Sequence, residues 1–107
     1  MTYNLLLWRW SDDYDTPAKR KKSGVKFGDI TSAFARTGTH AAIGRADIDG
    51  FGHAVGEALG HDAEHRPFVL TLYEHCAVAN YTHEVRLELV PKIAAIGRRF
   101  GLNASEF

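Results

Sequence analysis

"YNLLLWRW", residues 3–10, is apolar on both alternations: Tyr3, Leu5 and Leu7 fall on one side of an extended chain, and Leu6, Trp8 and Trp10 on the other. Successive side chains of a strand point to opposite faces, so both faces of this segment need cover and it reads as an inner strand. Arg9 alone breaks the pattern, close enough to the strand end for its guanidinium to reach water.

Outward from that strand, "SDDYDTP" (11–17) is turn chemistry, because Ser and Asp side chains bond nearby backbone. Thr16 suits a helix cap and Pro17 a first helical position, so a helix begins at Pro17 and is interrupted at Gly24. "VKFGDITSAFARTG" (25–38) restarts a helical period with Phe27, Ile30 and Phe34 and closes at Gly38, and "THAAIGRA" (39–46) reads as connection. "DIDGFGHAVGEALG" (47–60) sets Phe51, Val55 and Leu59 on one helical face, with Asp47 or Asp49 as cap and Gly60 as stop.

"PFVLTLYE" from Pro67 and "CAVANYT" from Cys76 are strand-like and separated by a short polar break, most simply an antiparallel hairpin, with one long kinked strand as the alternative. "HEVRLELVPKIAAIGRRFGL" (83–102) carries Val85, Leu89, Ile93, Ile96 and Phe100 at helical spacing. Pro91 inside it marks either a kink or the first turn of a main helix, and Gly101 ends it. The order predicts a single α+β domain over 1–107: a small, largely antiparallel sheet of about three strands packed with three or four helices in two layers.

Composition narrows the function classes. The 107 residues are 45% hydrophobic and 11% aromatic, enough for one core. Thirteen basic side chains balance thirteen acidic ones. Up to His53 there are eight basic and six acidic residues, and beyond it five and seven, so neither half has the strong positive field of a nucleic-acid binder. The longest apolar run falls far short of the roughly 20 residues that span a bilayer. No secretory signal is visible, and the lone Cys76 cannot form an internal disulfide. The expected setting is cytoplasmic, with neither nucleic acid nor membrane as partner.

Motifs that would carry chemistry are incomplete. "HDAEH" (61–65) matches H-x-x-E-H, in which His61 and His65 could hold zinc with Glu64 as general base, but it lies between a closing glycine and Pro67 and has no marked third ligand. It supports the alternative reading, a small zinc-dependent hydrolase. "DIDG" (47–50) imitates a calcium loop but puts Arg45 and Gly56 where oxygen ligands are needed. "GVKFG" (24–28) lacks a phosphate-binding ending. Cys76 beside His75, with His83 further on, reads as a packed strand residue, and His40 and His53 have no partner at a ligand spacing. The expectation is a non-catalytic protein with no metal and no cofactor.

Lys19, Arg20, Lys21 and Lys22 surround a helical turn and form no single basic face, and three aspartates nearby offset their field. What stands out is strand-end aromatics joined to a compact acidic loop. Trp10, Asp12, Asp13, Tyr14 and Asp15 are the expected partner-binding residues, since half-buried aromatics anchor interfaces and clustered carboxylates align a charged partner. The competing assignment of the tryptophans to the core is stronger for Trp8 than for Trp10.

The opening "YNLLLWRW", the acidic turn after it, the strand "FVLTLYE" and the closing "LVPKIAAIGRRFGLNASEF" resemble small bacterial proteins of polymorphic or contact-dependent toxin systems, several of which act as immunity proteins. In those chains a late strand leads into a helix opened by P-x-I and ended by "GL" before a short acidic tail. The resemblance covers both chain ends, not the middle (37–66), and transfers no binding residue. It implies a protein that binds and neutralises a cognate toxin by occluding its active site. A third reading is a homodimer formed by pairing an exposed apolar strand with a copy of itself.

Overall fold

A computed structural model describes residues 2–38, 40–60 and 66–107. The elements run β1 (Thr2–Trp10), α1 (Pro17–Ser23), α2 (Phe27–Thr37), β2 (Ile43–Gly44), α3 (Ile48–Leu59), β3 (Phe68–Leu72), β4 (Ala77–Thr82), α4 (His83–Arg98) and β5 (Asn103–Glu106). β1 is the inner strand its two apolar faces demand. It pairs antiparallel with β4 from Thr2 to Leu7, with β5 from Leu5 to Trp8, and with β2 at Arg9 and Trp10. β3 and β4 form the expected antiparallel hairpin, Phe68 opposite Tyr81 and Leu72 opposite Ala77.

The faces of β1 separate two cores. Leu5 and Leu7 pack with Ile48, Phe51 and Val55 of α3 and Leu89, Ile93 and Ile96 of α4. Leu6 and Trp8 pack with Ile30 and Phe34 of α2, together with Ala42 and Cys76. Side chains from 5 to 8 are almost wholly excluded from water, and burying each large one contributes about 1.5–3 kcal/mol. Trp8 satisfies its indole N–H by donating to the Ser105 hydroxyl at 3.1 Å. α4 can lie close over β1 because residue 97 is glycine: a Cβ there would sit 3.1 Å from a Leu7 methyl.

The α+β class and antiparallel sheet are as the sequence predicts, with two additions. The sheet has five strands where about three were expected, and helices cover both of its faces, one layer beyond the two expected. The extra strands are β2, two residues within a segment read as connection, and β5, read as a tail. α4 runs through Pro91 as one helix. Pro91 and Leu87 are exposed, so the Leu87 carbonyl that Pro91 leaves without its helical donor lies on the solvent side.

Candidate functional site

β1 delivers Trp10 to the base of the acidic turn. The Tyr14 N–H donates to the Ser11 carbonyl at 2.9 Å and closes it. Ser11 fixes its foot, its N–H donating to the Ala42 carbonyl at 2.8 Å and its hydroxyl to the Ala41 carbonyl at 3.0 Å. Asp12, Asp13 and Asp15 are exposed, and Trp10 and Tyr14 are half-buried.

α1 holds the turn from outside. It contributes no buried residue to the core and is capped by Thr16, whose hydroxyl accepts from the Lys19 N–H at 3.2 Å. Gly24, at φ 73°, closes it in a left-handed conformation that costs glycine little. Lys19 Nζ donates to the Asp12 carbonyl at 2.8 Å and pairs with the Asp15 carboxylate at 3.1 Å. Arg20 donates to the Tyr14 carbonyl at 3.0 Å and lays its guanidinium 4.6 Å from the centre of the Trp10 ring. Two of the four consecutive bases therefore brace the acidic turn. The exposed Lys19–Asp15 pair contributes only about 0–1 kcal/mol, so its role is to set geometry.

The structure thus gathers all five expected binding residues at one end of β1 but does not make them equivalent. Asp15 is paired, whereas the Asp12 and Asp13 carboxylates have no side-chain partner among the described residues. Trp10 and Arg9 form a ridge between two clefts. One, of about 400 Å³, runs past Asp12, Ile43, Arg45 and His75. The other, of about 590 Å³, runs past Asp15, Asp47, Arg99 and Phe100. The surface is a charge mosaic, two free carboxylates flanked by arginines, more varied than the acidic patch read from the turn alone.

Sequence reasoning missed a second polar cluster at the opposite end of β1. Glu106 of β5 accepts from the Tyr81 hydroxyl at 2.6 Å and from Arg86 Nε at 2.9 Å, and its other oxygen accepts from Arg86 Nη2. The Arg86 hydrogen bonds, aided by Tyr81, hold the Glu106 carboxyl below its ordinary range. Burial and the bond to Glu106 push the Tyr81 hydroxyl well up. Arg86 also stacks 4.4 Å from the Tyr3 ring centre. The cluster ties β5, β4, α4 and β1 together.

The remaining candidates are placed as follows. His61, Glu64 and His65 lie outside the described residues. Among the described residues no group of three or more His, Cys, Asp or Glu is arranged to hold a metal ion. Asp47 caps α3, accepting from the Gly50 N–H at 3.0 Å. Cys76 is buried, which pushes its thiol up to about 11 and disfavours the reactive thiolate. His40 Nδ1 accepts from the Ala42 N–H at 2.9 Å, a local structural bond. No helix among the described residues is long and apolar enough to cross a membrane. Compared with known proteins, the chain matches no family model and has no significant match among curated proteins or solved structures.

Proposed function

We propose that this chain is a non-catalytic, cytoplasmic binding domain of the immunity type, which neutralises a cognate toxin by covering its active site with the turn that follows β1. The observation that carries this reading is the pair of exposed carboxylates, Asp12 and Asp13, without a side-chain partner among the described residues and flanked by half-buried Trp10 and Tyr14. A turn anchored to a central strand and braced by α1 is pre-organised, so little ordering entropy is lost when a partner docks. The carboxylates would meet basic groups of a nucleotide- or nucleic-acid-handling cleft, and Trp10 and Tyr14 would supply desolvated contact. Arg9, Arg45 and Arg99 would meet acidic groups at the rim and restrict the choice of partner.

The test is genetic. The resemblance to immunity proteins predicts that the neighbouring gene ahead of this one encodes a protein that stops growth when expressed alone. Co-expression of this chain restores growth, and the D12K/D13K/D15K variant restores it poorly while folding normally. A harmless neighbour, or full rescue by the triple variant, would contradict the proposal.

A further inference from the structure

We propose that the outer edge of β5 is a strand-addition site, which takes an extended, uncharged segment of another polypeptide with small β-branched side chains at alternate positions. The site is distinct from the acidic turn and stands or falls independently of it.

The main chain makes the first part of the case. Asn4 and Phe107 exchange both backbone hydrogen bonds, at 3.0 and 2.8 Å. In an antiparallel ladder such pairs alternate with non-bonded ones, so Leu6 with Ser105 and Trp8 with Asn103 are bonded pairs. Ala104 and Glu106 therefore turn their N–H and C=O groups away from β1, and among the described residues no other hydrogen bond uses them. β5 contains no proline, and its register with β1 is unbroken from Asn103 to Glu106, so no bulge blunts the edge.

The two faces make the second part. On the α4 side, exposed Leu87, with Val90 and Pro91, faces Ala104 across a groove of about 400 Å³. On the α2 side, Phe27, Gly28 and Thr31 face Ser105 across one of about 310 Å³. Both grooves are bounded by Ala104 and Glu106, the residues with outward-facing main chain. Gly28 adds room, since a Cβ there would meet nothing within 4 Å. An incoming strand thus finds hydrogen-bonding groups at its edge and a recess for the side chains on each of its faces, the arrangement by which strand addition gains both affinity and selectivity.

Charge and size identify the occupant. Among the described residues, the only ion pair bordering the grooves, Arg86 with Glu106, is satisfied internally, so charged side chains gain nothing there. The α4 groove suits valine or isoleucine, and the smaller α2 groove, lined by Phe27, Gly28 and Thr31, suits threonine. A second copy of this chain fits poorly. Pairing β5 with itself would put only Ala104, Ser105 and another Glu106 carboxylate into recesses of this size.

The probe is a capped peptide of about seven residues alternating valine and threonine, added at millimolar concentration to the full chain while amide exchange is followed by NMR. Exchange at Ala104 and Glu106 is expected to slow by about tenfold. The effect should disappear in A104P, which removes an N–H that the ladder with β1 does not use. Because A104P could also disturb β5, L87E provides a second variant. Leu87 is 88% exposed, so a charge there leaves the fold intact while weakening peptide binding by about tenfold or more. No slowing, slowing at the β3 edge instead, or unchanged binding by L87E would overturn the proposal. So would protection of Ala104 that needs no peptide and grows with protein concentration, which would make a second copy the occupant.

Discussion

Glu106 joins the last strand to two other elements through a single carboxylate, which makes the pH dependence of stability a test of the local structure. Its folded pKa is depressed, so its contribution is fully present above the ordinary glutamate value of about 4.3 and is lost as pH falls through the lower folded value. Glu106→Gln should cost about 1–2 kcal/mol near neutrality, moderated because the Arg86 side chain is 36% exposed. The variant should also flatten the acid limb of an unfolding-free-energy profile between neutral pH and pH 3. An acid limb identical to wild type would show that the cluster contributes nothing. The nearness of the aspartates to the bases was legible in the sequence, although the particular Asp15–Lys19 contact, from the turn before the Thr16 cap to the first turn of α1, was not. Nor was the Arg86–Glu106 contact: the two lie 20 residues apart in different elements, and only the fold brings them together. Trp8 was legible as core from its place in an apolar alternation, whereas the half-buried Trp10 packs against Trp8, Phe27 and the Arg20 guanidinium, neighbours that its own strand does not announce.

At the level of elements, the legible ones carry their own pattern. β1 declares both of its faces, and α2, α3 and α4 show helical spacing with recognisable caps or stops. β2 and β5 carry almost none. "IG" is too short to alternate, and "NASE" is polar and small, a strand only because β1 offers it an unpaired edge. α1 is the opposite case, well capped in sequence but unsupported by the core. Seven residues are too few to be helical alone, so α1 depends on Thr16, Lys19 and Arg20. T16A/R20A should lose about 1 kcal/mol of local stability. Amides from 19 to 23 should then exchange as freely as a coil, while those of β1 remain protected. Global destabilisation would mean that α1 is structurally coupled to the core, contrary to its lack of buried residues.

Across the whole molecule, the apolar side chains of β1 divide between two cores, and its last residues emerge into an anchored, charged turn. The interior is devoted to packing: Trp8, Phe51 and Tyr81 fill it, and the buried thiol of Cys76 is held protonated. The two proposed binding surfaces lie on the exterior, at the turn and along the β5 edge. Opposite charges that steer a complex act mainly on association and are screened by salt, which separates them from contacts that act on dissociation. The most direct test of the central claim is stopped-flow association with the toxin identified by growth rescue, comparing wild type with D12K/D13K/D15K at low and high salt. The account predicts association slowed by about 10–100-fold in the variant at low salt, with the difference shrinking as salt rises. Equal association rates at low salt would contradict it.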